Sequence, residues 1–253
     1  MAHHVNKFLI SQGHQVRVVL HQAKMHKVSV PYTFEGVEVM GPTKNMDQYR
    51  WADIIITHLD YSQFTIALAE LIKMPVINLI HNDSPYSSII NARRSNSVVY
   101  NSEWIKNKLA YQWPSMVLNP PCDVRYYNVC EKPINNEFIT LVSLNENKGG
   151  NVFYEVARRM PHKKFLGVKG SYDIQLIQEL PNVTIIPNTP DIREVYMKTR
   201  ILLMPSRYES WGRTATEAMA SGIPVICAPT SGLKENCGDA GLYTAKRAKL
   251  KDD

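Results

Sequence analysis

The chain has 253 residues, 44% hydrophobic and 21% charged, enough for a sizeable core in one large domain or two ordinary ones. No apolar run approaches the roughly 18–20 residues of a membrane span, and the first residues lack a basic-then-apolar secretion pattern, so a cytoplasmic location is expected. A formal charge of +6 suits an anionic partner, whether nucleotide, nucleic acid or acidic membrane surface, without choosing among them.

The chain opens with a helical stripe, Met1, Val5, Phe8 and Leu9, that stops at Gly13. Strands are then predicted at 15–20, 37–40, 54–58, 76–81, 98–101 and 116–119, with helices over 64–73 and 102–112, the latter capped by Ser102. Pro120-Pro121 can extend neither a helix nor a central strand and marks the domain junction, giving domains 1–120 and 121–253. The second half repeats the alternation, with strands at 138–144, 164–168, 183–187, 201–205, 224–228 and 241–243. Its helices are expected at 150–160, 191–199 and 213–221. The closing KRAKLKDD reads as a solvated tail.

This alternation predicts an α/β fold of two Rossmann-like doubly wound domains facing a cleft, with ligands at the carboxyl ends of the strands. Such a domain ordinarily begins with a strand and a Gly-rich turn ahead of its first helix. Here the first domain is expected to lack that strand. The four cysteines, Cys122, Cys130, Cys227 and Cys237, form no CxxC pair, so reduced thiols are expected in place of zinc or disulfides. Asn82-Asp-Ser and Asn182-Val-Thr match the glycosylation triplet by chance, there being no secretion signal.

The densest stretch is PSRYESWGRTATEAMASGIPVICAPTSG, Pro205 to Gly232. A buried strand ends at Pro205, a loop carries Glu209, and a helix begins near Arg213 and stops at Gly222. A helix start offers free N–H groups and a positive dipole end, suited to phosphate. Glu217 lies about one turn inside, and carboxylates accept hydrogen bonds from paired hydroxyls. Arg213 in the first turn opposes the dipole unless an anion occupies the site. The plainer alternative leaves Glu217 as a local pairing residue and Glu209 as an exposed loop acid.

Pro205, Ser206, Glu209, Glu217-Ala-Met-Ala, Gly222, Pro224-Val225, Gly232 and Glu235 together resemble the signature of the retaining nucleotide-sugar glycosyltransferases of family four. The segment NENKGG at 145–150 is similar to that family's Lys-Gly stretch, and LISQGHQVRVV to its first helix and second strand. The resemblance implies a GT-B fold and transfer of a sugar, from a UDP-sugar, to an acceptor hydroxyl with retention. It implies that Glu209 contacts the transferred sugar, near the amides of Ser210, Trp211 and Gly212, and that Glu217 holds the ribose. Lys148, beside Gly149, would neutralise the diphosphate. His81 would face the sugar and Asn188 would lie beside the nucleotide base. No metal and no resident cofactor are implied, the nucleotide sugar being a co-substrate.

The chain departs from the family pattern in carrying Ser143 where an arginine is usual, and Arg213 is a candidate for that missing cation. Ser210 and Trp211 replace the usual Gly and Phe. The family's C-terminal returning helix is not seen after Tyr243, so the chain reads as short at both ends. His3 and His4 have no companions at ligand spacing, and His58 shares the strand-end position of His81. The basic cluster at 91–96 suits a solvated helix end or an anionic acceptor. A nucleotide-sugar epimerase on the same scaffold and a non-catalytic nucleotide-sugar or nucleic-acid binding module remain open. The acceptor, whether DNA base, lipid headgroup, polysaccharide or protein, and the oligomeric state are not legible.

Overall fold

The structure is a computed structural model that describes residues 2–21, 28–42, 45–84, 97–110, 114–129 and 136–244. The basic cluster at 91–96, Cys130 and the tail after Thr244 lie outside the described residues. The chain divides into two compact units, Met1–Tyr100 with Tyr111–Met116, and Asn101–Ala110 with Val117–Asp253.

The first unit holds two sheets. β1 (Arg17–Val19), β3 (Val37–Met40) and β2 (Tyr32–Phe34) form one, in the order β1-β3-β2. β4 (Ile55–His58), β5 (Val76–Ile80), β6 (Ser97–Tyr100) and β7 (Ser115–Val117) form the other, in chain order. β1 runs parallel to β3, and β4, β5 and β6 are mutually parallel, as βα connections require. β2 was not expected from the sequence. It joins β3 antiparallel through Glu35-Gly36, both at positive φ (48° and 83°), and a Glu-Gly pair is a weaker hairpin signal than Asn-Gly. The Ala2–Ser11 helix opens the unit, and Lys7 and His3 both reach Glu35 in that turn, at 3.0 and 2.7 Å. The Ser62–Leu71 helix packs Ile66 and Ala69 on Val76, a small core.

The second unit has one six-stranded sheet: β8 (Phe138–Val142), β9 (Lys164–Val168), β10 (Val183–Ile186), β11 (Thr199–Met204), β12 (Val225–Cys227) and β13 (Leu242–Tyr243). Its order is β10-β9-β8-β11-β12-β13, and its strands are parallel. Numbered within the unit this is 3-2-1-4-5-6, the doubly wound Rossmann order. Successive side chains of β11 point to opposite faces. Leu203 joins Leu141, Phe153, Tyr154 and Phe165 beneath the Gly150–Arg159 helix. Leu202 and Met204 pack with Ala215, Ala218 and Leu233 under the Arg213–Ala220 and Ser231–Cys237 helices.

Ser102 caps the Glu103–Leu109 helix as expected, accepting from the Ile105 amide at 3.2 Å. Two expectations change. The helix over 191–199 shrinks to Arg193–Tyr196, because Asp191 turns back onto Arg193 (2.6 Å) and the chain is already in β11 by Thr199. The Ser231–Cys237 helix was not among the predicted elements, because Gly232 stands in its first turn. Asn182 spends its side-chain amide on the carbonyls of Ala157, Met160 and Lys163, at 3.0–3.2 Å. Cys122, Cys227 and Cys237 are free thiols.

Candidate functional site

In a 3-2-1-4-5-6 sheet the strand order reverses between β8 and β11, and a crevice opens there beyond their carboxyl ends. The loop after β8 carries Asn145 to Gly149, and the loop after β11 carries Pro205 to Gly212. Two loops that each carry an acid and a cation therefore meet at the switch point.

They are stitched together. The Arg207 amide donates to the Asn147 carbonyl at 2.8 Å, Asn147 Nδ2 donates to the Tyr208 carbonyl at 3.3 Å, and Arg207 pairs with Glu146 at 2.8 Å. Gly149 is obligatory: its φ is +86°, and a Cβ there would stand 2.6 Å from Pro205 Cγ and 2.8 Å from the Pro205 carbonyl oxygen. Lys148 is thereby set beside Glu209, with Nζ 2.5 Å from Oε1. Ser206 Oγ donates to the same oxygen at 3.0 Å. The Glu209 side chain is 9% exposed, so it is the buried member of a pair, not an exposed loop acid.

Behind it, the Glu209 amide donates to Ser231 Oγ at 2.9 Å and its carbonyl accepts from the Gly232 amide at 2.8 Å. Ser210 Oγ accepts from Asn101 Nδ2 at 3.0 Å. Trp211 Nε1 donates to Thr216 Oγ1 (3.2 Å), and Asn236 Nδ2 donates to the carbonyls of Trp211 and Gly212, each at 2.9 Å. Gly212, at φ +86°, is the N-cap residue of the Arg213–Ala220 helix, and among the described residues no side-chain cap is made there. Its first amides are left for another acceptor.

Glu217, one turn on, is 12% exposed and meets Arg213 Nη2 at 2.9 Å. Tyr127 and Tyr196 donate their hydroxyls to its Oε1 and Oε2, at 3.1 and 3.0 Å. Burial, then the Glu217 charge, pushes the Tyr127 hydroxyl up to about 12 and that of Tyr196 well above its ordinary range. Both stay protonated donors at neutral pH. Two acids and two cations thus sit as two ion pairs, balanced in charge.

The second unit therefore brings together Glu209, Ser210, Trp211, Gly212, Arg213, Glu217, Lys148 and Gly149. Asn188 is exposed past β10, at the edge of the same sheet. Ser143 is buried at φ +68°, its Oγ accepting from Asn145 Nδ2 at 3.1 Å. His81 lies in the first unit past β5, its ring edge-on to His58 at 5.4 Å. Burial, and then His58, lowers its pKa. Its Nε2 is buried without a hydrogen-bond partner among the described residues. Among the described residues no group of three His, Cys, Asp or Glu side chains could hold a metal, and no helix is long and apolar enough to cross a membrane.

Sequence reasoning missed Tyr127, Tyr196, Ser231, Asn101 and Asn236. Ser231 falls inside the Pro205–Gly232 stretch without a chemistry of its own there, and only the folded sheet brings the others to the site. Elsewhere, a groove lined by Ile177, Leu180, Pro181, Val183 and Ile185 runs along the β10 edge, with none of the site residues in its wall.

Residues 136–252 match the family model Glycosyl transferases group 1. A curated relative, O-antigen chain mannosyltransferase B of Escherichia coli, is 42% identical over 52 residues, which is 21% of this chain and 14% of that protein. Among solved structures, sucrose-phosphate synthase from Thermosynechococcus elongatus is similar over 97% of this chain and 79% of its own, with TM-score 0.75 and 14% identity. A glycosyltransferase from Rickettsia africae covers 96% and 79%, with TM-score 0.71 and 16% identity. Anabaena HepE, solved with UDP and glucose, covers 91% and 78%, with TM-score 0.70 and 17% identity. These neighbours are GT-B glycosyltransferases, and at such identities the likeness speaks for the fold. The second unit thus carries a segment that matches glycosyl transferases group 1, within a chain of GT-B fold.

Proposed function

We propose that the chain is a retaining glycosyltransferase that moves a sugar from a nucleotide-diphosphate donor, a UDP-sugar, to an acceptor hydroxyl. The reading rests on one observation above all: two carboxylate–cation pairs, Lys148–Glu209 and Arg213–Glu217, flank an uncapped helix start at the switch point of a Rossmann-ordered sheet. Lys148, Arg213 and the amides of Ser210, Trp211 and Gly212 would receive the diphosphate, and Gly149 allows its loop to close on them. Glu209 would accept from hydroxyls of the transferred sugar and Glu217 from the ribose. The family resemblance adds Asn188 beside the base and His81 toward the sugar.

In the reaction the bond from the anomeric carbon to the diphosphate oxygen breaks, the acceptor oxygen bonds to that carbon, and its proton passes to the departing diphosphate. The two cations and the helix amides stabilise charge growing on the leaving diphosphate, which is why neither a metal nor a resident cofactor is assigned. HepE complexes with UDP-glucose favour that donor, and the mannosyltransferase relative favours a nucleotide-activated mannose as the next to try. A cytoplasmic setting and an acceptor among nucleic acid, lipid, polysaccharide or protein complete the reading.

The test is release of nucleoside diphosphate from UDP-glucose or nucleotide-activated mannose, with and without acceptors. Glu209→Gln and Glu217→Gln are each expected to cut turnover by about 100-fold or more. Turnover that survives both substitutions would overturn the assignment.

A further inference from the structure

An ionised carboxylate offers about four lone-pair positions. At Glu217, Oε1 takes Arg213 and Tyr127, and Oε2 takes Tyr196, so among the described residues three are filled and one on Oε2 remains. The three partners differ in kind. Arg213 is a flexible side chain, 35% exposed. Tyr196 is fully buried in the core, and Tyr127 is 7% exposed. Tyr127 is held further by its carbonyl, which accepts from Ser221 Oγ at 2.6 Å.

We propose that Tyr127 and Tyr196 are positioning residues for nucleotide binding, fixing the Glu217 carboxylate in one orientation so that its open lone pair meets a ribose hydroxyl. The proposal rests on the assignment of Glu217 to the ribose. Arg213 is then the exchangeable partner: when it turns to a diphosphate, a second lone pair is released on Oε1 and the carboxylate receives a vicinal diol. A carboxylate without the two hydroxyls would rotate, and its discrimination between ligands with and without ribose hydroxyls would fall.

That discrimination is the readout. Calorimetry would compare UDP and GDP with their 2′,3′-dideoxy counterparts, on the full chain and on Tyr196→Phe and Tyr127→Phe, which keep the rings. The wild-type chain is expected to prefer at least one ribonucleotide by about tenfold, and each variant to bring that ratio to within about threefold, with affinity for inorganic pyrophosphate unchanged. A variant that melts earlier yet keeps the wild-type ratio would reduce the tyrosines to packing and overturn the proposal, leaving the role of Glu217 intact. Equal wild-type affinity for ribo and dideoxy forms would remove the Glu217 assignment and the proposal together. No binding of either nucleotide would overturn the proposed function itself. Should Tyr196→Phe not fold, Tyr127→Phe decides alone.

Discussion

Gly149 and Gly212 both stand at φ +86° immediately before a helix, and a Cβ on Gly212 would meet Leu233 Cδ2 at 2.5 Å. Gly149→Ala adds a left-handed strain to a clash with the Pro205 backbone, and about 2–4 kcal/mol of stability is expected to be lost. Chemical denaturation would measure the loss, and Lys148 should lose its place with it, weakening pyrophosphate binding. His58 and His81 make a second residue-scale prediction. Burial lowers both pKa values below the ordinary 6.5. The unfolded chain protonates near 6.5 while the folded imidazoles stay neutral, so stability is complete above that pH and falls as pH drops through the folded values. The melting temperature should decline between pH 7 and 5, and the double variant His58→Gln/His81→Gln should flatten the decline. The acids and Lys148 were legible in the sequence because each sits in a short motif beside a strand end. Tyr127 and Tyr196 were not, lying 90 and 21 residues from the carboxylate they serve.

Among the elements, the Glu103–Leu109 helix shows how the second unit recruits a piece of chain from the first half of the sequence. Its first amides, Glu103 and Trp104, donate to the two oxygens of Glu235 at 2.9 and 3.0 Å, while Ser102 takes the third, that of Ile105. Trp104 lies edge-on to Tyr208 at 5.5 Å, which ties the helix to the loop that carries Glu209. Glu235→Ala is expected to cost about 1–2 kcal/mol, in the range of a lost cap. Hydrogen exchange should quicken at the Glu103 and Trp104 amides first, and unchanged exchange there would show the cap to be idle. Strand positions were read well from the sequence, since apolar runs bounded by Gly and Pro leave little choice. The short or glycine-bearing elements were not: β2, the curtailed helix at Arg193–Tyr196 and the Ser231–Cys237 helix each depend on a tertiary partner.

At the scale of the whole molecule the two units are unequally built. The second has six paired strands and apolar clusters on both faces of its sheet. Among its described residues, the first splits seven strands between two sheets, with one small apolar cluster of Ile66, Ala69 and Val76. Backbone amides of the first unit are expected to exchange faster, with thermal melting in two steps and the first unit leading. The Rossmann order of the second unit was only implicit in the sequence, because alternation of elements fixes the type of sheet and leaves the neighbours of each strand open.

Among the described residues β4 has a strand on one side only, and Ile54 and Ile56, just before its start and within it, are each 46% exposed. Such a rim is a template on which a stray polypeptide can lay down another rung. Concentrated solutions should therefore thicken into oligomers by a route unconnected with sugar chemistry, and Ile56→Lys, which plants a charge on that rim, should keep light scattering flat.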